Sequence, residues 1–259
     1  PRQLERKVQH TDPREQRHPR SPLEISCAIL ISPMEKGFPI SPDRAIFLAD
    51  AHLNQDDIHS RNFLALADRA AAEKVPLFLL GDVFDLWFGN RGLTFAFQKP
   101  IVEHLRELRR GGLRLYYVEG NRDFYLKRDH EGTTFDVVSE GEMHAAVGEK
   151  RLYLSHGDTV NRADFVYRFW KGISKSRLAN EAVAHLPPSI ILPMADWIER
   201  NFKRSNRRYK GSFPERECRE FGMRMFGRGV DFVLLGHFHQ EKLMRFSLGE
   251  ATKVLAVLP

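Results

Sequence analysis

Apolar residues along the chain fall into short runs, separated by longer stretches in which they recur every third or fourth position. Ala45–Ala49 (AIFLA), Leu77–Leu80 (LFLL) and Arg114–Val118 (RLYYV) have the length of buried strands. Between them, 57–74 sets Phe63, Leu64, Leu66, Ala67 and Ala70 at helical spacing. Residues 101–110 do the same with Ile101, Val102, Leu105 and Leu108, ahead of a Gly111-Gly112 stop. This strand–helix alternation predicts an α/β domain. After Thr133 the pattern shortens to strands at 134–138, 142–147 and 151–155, then 230–235, and a final hairpin of Lys242–Ser247 and Lys253–Leu258 around Gly249.

Two stretches depart from this rhythm. Residues 1–22 are charged and almost without apolar side chains, and 23–44 add one short apolar piece followed by Pro33, Gly37, Pro39 and Pro42. The expectation is a disordered tail and linker over 1–43 and a folded domain over 44–259. Residues 162–228 carry Phe165, Val166, Phe169 and Trp170 at helical spacing, then Pro187-Pro188, Pro193 and a second apolar set, Met194, Trp197, Ile198 and Phe202. Two helices around a Pro-rich break fit this stretch, which reads as a helical cap inserted into the domain. The chain shows no internal repeat.

At 259 residues the chain can bury a substantial core. Cys27 and Cys218 form no CxxC pattern and support neither a disulfide framework nor a cysteine metal site, so a reducing compartment is expected. The longest apolar run, Ile25–Ser32, falls short of the roughly 20 residues a membrane span needs, and no signal peptide is expected from so charged a beginning. Lys and Arg number 40 against 34 Asp and Glu, a net charge of +6 that suits an anionic partner.

Five predicted strands each end in a polar cluster. In order these are Asp50-Ala51-His52, Gly81-Asp82 with Asp85 three residues on, Gly120-Asn121-Arg122-Asp123, His156-Gly157-Asp158, and Gly236-His237-Phe238-His239. Open α/β sheets place their sites at the carboxyl ends of strands. In Asp-x-His and His-x-His the two side chains share a face if the strand continues. Carboxylate, imidazole and amide oxygen together suit a borderline-hard divalent metal such as Mn²⁺, Fe²⁺ or Zn²⁺. A carboxylate can bridge two ions, and such a pair lowers the pKa of a shared water and clamps an in-line phosphoryl displacement. A single Asp-x-His would be an ordinary strand-end turn; five such clusters in order are not.

This ordered set resembles the calcineurin-like metallophosphoesterase superfamily over roughly 44–259. The resemblance implies two stacked mixed β-sheets flanked by helices. It implies one metal held by Asp50, His52, Asp82 and His239, and a second by Asp82, Asn121, His156 and His237, with Asp82 as the bridge. All seven positions carry a ligand-type residue, which speaks against a non-catalytic scaffold on the same fold. The superfamily's common third motif is Gly-Asn-His followed by an acid, the His being a candidate general acid. Here that place is Arg122, which cannot give up a proton near neutral pH but binds phosphate oxygens in a two-pronged fashion. Losing a general acid matters little when the leaving group is itself a phosphate, whose second pKa is about 6. Arg122 therefore favours cleavage of a pyrophosphate.

GNRDF (120–124), GDVFDLW (81–87) and SHGDT (155–159) resemble the UDP-2,3-diacylglucosamine pyrophosphatase family of lipid A biosynthesis. The resemblance implies a hydrolase with two Mn²⁺, Fe²⁺ or Zn²⁺ being possible substitutes. Metal-activated water would attack the α-phosphorus to give UMP and 2,3-diacylglucosamine 1-phosphate (lipid X). It makes Asp82, Asn121, Arg122 and His156 the catalytic set, and Asn121, Arg122, Asp164, Ser205, Tyr209, Lys210 and His237 the substrate contacts.

The intervals Asp50–Asp82, Asp82–Asn121 and Asn121–His156 are 32, 39 and 35 residues, against 81 from His156 to His237. The excess is the expected cap. It carries Arg200, Lys203, Arg204, Arg207, Arg208 and Lys210 within eleven residues, a composition that could meet acyl chains and anionic headgroups. The expected partners are then the UDP-linked diacylated glucosamine and a membrane surface, with the protein peripheral on the cytoplasmic side of the inner membrane. Nucleic acid is not expected, since no aromatics are interleaved for base stacking. The alternative is a related metallophosphoesterase acting on another nucleotide diphosphate or phosphodiester.

Overall fold

The computed structural model describes residues 44–54, 57–89, 94–147, 150–160, 190 and 213–259. A first sheet of four strands has the order β1 (Ile46–Leu48), β2 (Leu77–Leu79), β4 (Leu115–Val118), β6 (Val137–Ser139), and all its described pairings are parallel. A second, mixed sheet has five: β10 (Lys242–Leu248), β11 (Ala251–Val257), β9 (Phe232–Leu235), β8 (Lys150–Ser155) and β7 (Glu142–Val147). Its inner pairs, β11 with β9 and β9 with β8, are parallel, and its outer pairs are antiparallel hairpins.

Side-chain alternation explains why the central strands read as unbroken apolar runs. In β2 and the residue after it, Leu77 and Leu79 face one core while Phe78 and Leu80 face another; in β4, Leu115 and Tyr117 face the first, Tyr116 and Val118 the second. The second core lies between the sheets, where Phe78, Leu80, Tyr116 and Val118 meet Met143, Leu152, Leu154 and Leu234. The first core is roofed by α1 (Asp57–Ala72), through Phe63, Ala67 and Ala70, and by α2 (Gln98–Arg110), through Ile101, Val102 and Leu105. A third core lies outside the second sheet, where Val233, Leu235, Leu255 and Val257 pack against α4 (Glu215–Phe226) through Cys218, Phe221, Met225 and Phe226. The layers run helix, sheet, sheet, helix.

Two expectations change. The cap expected over 162–228 does not extend across 215–226: the buried stripe of α4 makes that helix the outer layer of the main body. Residues 161–189 and 191–212 lie outside the described residues. α2 begins three residues before the expected Ile101, because the buried Gln98 ties its first turn down. The Gln98 side chain accepts from Phe95 N (3.1 Å) and donates to Leu86 O (2.7 Å).

A pair of two-residue strands, β3 (Trp87–Phe88) and β5 (Asp123–Phe124), run parallel beside the main sheets, followed by the short α3 (Leu126–His130). Trp87 anchors this corner. It is fully buried and meets Phe84, Tyr117, His130 and Phe135 edge-on, with centroids 4.8–6.0 Å apart. Its indole N–H donates no hydrogen bond among the described residues, so size and shape are its contribution. Trp87→Ala is expected to cost about 3–5 kcal/mol. Trp87→Phe should cost clearly less, both being read from denaturant midpoints.

Candidate metal centre

Strands β1, β2, β4, β8 and β9 all deliver their carboxyl ends to one place, and the five polar clusters follow them there. Backbone hydrogen bonds stitch the clusters together: Asp50 N to Gly81 O (3.1 Å), His52 N to Asp82 O (3.1 Å) and Gly236 N to His156 O (2.9 Å). Approach is so close that side chains are excluded at Gly81, Gly120 and Gly236. A Cβ on Gly81 would lie 2.7 Å from His156 Nδ1, and one on Gly236 would lie 2.8 Å from Asp50 Oδ2.

Asp50 and His52 do not meet as alternate residues of a continuing strand, nor do His237 and His239. Asp50, His52, Asp82, His237 and His239 all have left-handed backbone, with φ of 52°, 45°, 51°, 73° and 49°. Non-glycine residues adopt this conformation rarely and at a cost, and they cluster where function demands it. The chain leaves each strand and turns sharply, which aims the side chains inward.

Asp50 is the hub. Its Oδ1 is buried and makes no hydrogen bond among the described residues, yet His52 Nε2 lies 3.6 Å from it and His239 Nε2 3.8 Å. These separations are too long for hydrogen bonds. They lie at and just beyond the roughly 3–3.6 Å that separates ligands about 2.0–2.2 Å from a common ion, as for donors converging on one cation. Asp50 Oδ2 accepts from the His237 backbone N–H. Asp50, His52 and His239 form one grouping able to hold a cation, and Asp50, Asp82 and His156 a second. The carboxylate common to both is Asp50; Asp82, implied as the bridge by resemblance, belongs to the second. Asn121 Oδ1 lies 2.9 Å from His156 Nε2 and 3.0 Å from His237 Nδ1, so those three converge beside the second grouping. His156 turns its Nδ1 to the Leu80 carbonyl (2.9 Å), which can only accept, so Nδ1 carries a proton and Nε2 faces the centre. The donor set therefore fits one or two divalent cations.

Arg122 lies at the rim. Its backbone N–H donates to Asp82 Oδ1 (2.9 Å), and its Nε is 3.5 Å from Asp82 Oδ2. Asp164, Ser205, Tyr209 and Lys210 lie outside the described residues. Sequence reasoning assigned no role to Asp123, which is fully buried and accepts at Oδ2 from Asp82 N (2.9 Å) and Gly120 N (2.8 Å). It clamps two of the five clusters to one another. The signal was present, since Asp123 closes the third motif.

Without metal the site is electrically strained. Burial raises the Asp50 carboxyl, but His156, His52 and His239 outweigh it and hold it down at about 2. Burial likewise raises Asp82, which the nearby Asp50 charge pushes further while His156 opposes. Burial disfavours a charged His52, yet the carboxylates of Asp50 and Asp85 lift it to about 9. Burial and the neighbouring His156 push His237 down to about 4. His156 is itself raised, Asp82 and Asp50 overcoming its burial. At pH 7.5 the metal-free protein thus holds a proton on His52 that a cation must displace. Cation binding is expected to release at least one proton and to tighten with rising pH up to about 9. Calorimetric titration in buffers of different ionisation enthalpy measures this; heats independent of buffer would contradict it.

The sequence model of the calcineurin-like phosphoesterase family matches residues 44–241, and the chain belongs to that family. It is 27% identical over 205 residues to the UDP-2,3-diacylglucosamine hydrolase of Chromohalobacter salexigens, covering 78% of this chain and 82% of that one. To the UDP-2,3-diacylglucosamine hydrolase of Pseudomonas aeruginosa it is 30% identical over 200 residues, with 75% and 81% covered. The protein of that name from Pseudomonas syringae pv. tomato is 28% identical over 216 residues, with 82% and 86% covered. The chain is a hydrolase of the metallophosphoesterase class, a class that works with divalent metal.

Proposed function

We propose that the protein hydrolyses the pyrophosphate bond of UDP-2,3-diacylglucosamine to UMP and 2,3-diacylglucosamine 1-phosphate, with Mn²⁺ as its metal. The observation that carries this reading is a guanidinium, Arg122, at the rim of a site whose carboxylates and imidazoles converge. The names of the relatives point to the same substrate.

Divalent cations held by Asp50, His52, Asp82, Asn121, His156, His237 and His239 would supply Lewis acidity and a water of lowered pKa. The remaining work falls to side chains. Arg122 binds the pyrophosphate oxygens with its planar fork and takes up charge that builds as the bond breaks. Asn121 Oδ1 lies beside His156 Nε2 and His237 Nδ1, so the three would present their lone pairs to one cation and orient it. No residue need protonate the departing group, because a sugar phosphate leaves as a stable anion. The diacyl tail places the work at a lipid surface, and the cations of 200–210 would meet it there, on the cytoplasmic side of the inner membrane. Among the described residues no helix is long and apolar enough to cross a membrane.

The test is hydrolysis of UDP-2,3-diacylglucosamine by the full chain with Mn²⁺ in ¹⁸O-water. UMP should appear and should carry the label, as attack at the α-phosphorus requires. No UMP release by a preparation that still cleaves bis(p-nitrophenyl) phosphate would refute the substrate and favour another phosphodiester. Label in the sugar phosphate instead would refute the point of attack.

A further inference from the structure

We propose that Asp85, which belongs to neither metal-holding grouping, is a positioning residue that sets the orientation of both His52 and Arg122. This builds on the function proposed above, in that it takes His52 as a metal ligand and Arg122 as a phosphate-binding group.

The His52 ring is strung between two carboxylates. Its Nε2 faces Asp50 Oδ1 at 3.6 Å and its Nδ1 faces Asp85 Oδ1 at 3.4 Å. A histidine that ligates metal through one nitrogen commonly presents the other to a carboxylate, which fixes the ring and its tautomer. Asp85 stands in that place. The same oxygen lies 3.5 Å from Arg122 Nη1, which also donates to the Asp85 backbone carbonyl at 3.2 Å. One carboxylate oxygen therefore lies within 3.5 Å both of a ring that faces Asp50 and of the guanidinium taken above as the phosphate-binding group.

Asp85 is itself held on both sides. Its backbone N–H donates to Leu53 O (3.2 Å), which ties it to the loop carrying His52. Two residues later Trp87 N donates to Arg122 O (2.9 Å), the start of the β3–β5 pairing. Phe88 and Phe124 stack beneath that pairing with centroids 5.2 Å apart. The two-residue strands add little to either main sheet. Their consequence is to fix Asp85 against Arg122. His52 in turn stacks on His239, with centroids 4.9 Å apart at 25°, so a rotation of His52 would disturb a second ring that faces Asp50.

The experiment compares Asp85→Asn and Asp85→Ala with wild type in the full chain. Metal-free protein is titrated with Mn²⁺ against a chelating dye, and kcat and KM are measured separately on bis(p-nitrophenyl) phosphate and on UDP-2,3-diacylglucosamine. Asp85→Ala should weaken Mn²⁺ binding and lower activity by about 10- to 100-fold. It should also raise KM for the UDP substrate, through Arg122. Asp85→Asn keeps an acceptor oxygen of the same reach and should fall between, with the melting temperature of the metal-free protein little changed. A graded loss at constant melting temperature separates positioning from mere support. Wild-type Mn²⁺ affinity and KM in either variant would overturn the proposal. Failure of the wild type to release UMP, with Mn²⁺ affinity still falling on substitution, would refute the substrate assignment and uphold the role of Asp85 towards His52.

Discussion

Asp50→Ala is expected to abolish metal-dependent hydrolysis, with kcat falling by at least about 10³-fold and bound metal lost with it. The size follows from the position of Asp50 at the centre of both groupings. Its Oδ1 is the point on which His52 and His239 converge, and its Oδ2 accepts from the His237 backbone. A variant at a rim histidine such as His239 removes one member of a single grouping; this one removes the carboxylate shared by both groupings, and the loss of one transition-state contact alone is worth about 10²–10³. It should also change the metal-free protein. With Asp50 gone, His52 loses the strongest of the carboxylates that raise it and keeps Asp85 and Asp82, so its pKa should drop from about 9. In the wild type, the depressed carboxyl of Asp50 adds stability that is present above pH about 4 and is lost as the pH falls through about 2. Asp50→Ala should flatten that acid limb of the metal-free melting curve. Metal content by elemental analysis, hydrolysis rate and acid titration of the melting temperature check the three parts; retained metal with full activity would contradict the hub role.

The central architecture was legible in the sequence because its strands are buried on both faces. Leu77–Leu80 and Arg114–Val118 are apolar at every core-facing position, as Ala45–Ala49 and Phe232–Leu235 are. β3 and β5 were not legible. Two residues have no period, and they pair because Asp123 and Trp87 are pulled together by Arg122 O, the Asp82 backbone and an aromatic cluster distant in sequence. The place of 215–226, expected within the cap, was missed for a related reason. α4 has a normal amphipathic stripe, and nothing in a stripe says which surface it will cover.

The ligand residues themselves were legible as residue types at strand ends. Their geometry was not. Asp-x-His on a strand would present both side chains to one face about 7 Å apart, roughly two strand steps. The left-handed turns at Asp50, His52, His237 and His239 bring them together instead, and no local propensity encodes that. The contacts that enforce it come from elsewhere in the chain. Gly236 packs on Ala49 and Asp50, and Asp123 binds the backbone of Asp82. Asp85 and Asp123 were visible in their motifs but silent, because a carboxylate that orients another residue has no sequence signature distinct from one that binds metal.

Arg122→Ala is expected to lower kcat/KM on the pyrophosphate substrate by about 10²–10³, the cost of removing one preorganised donor from a developing charge. Fold and metal content should be unaltered, because the contact with Asp82 Oδ1 is made by the Arg122 backbone N–H, which alanine keeps. Arg122→Lys should recover only part of the loss, since an ammonium matches the charge but not the fork. Arg122→His separates the two roles this position could serve. An imidazole can give a proton to a leaving group, which an alkoxide needs and a phosphate does not. The variant should therefore remain poor on the pyrophosphate while gaining, relative to wild type, on a diester with a poor alkyl leaving group. The ratio of kcat/KM for the two substrates measures this. An unchanged ratio would mean that Arg122 acts on both substrates alike, as a phosphate anchor, and that its presence does not select the leaving group.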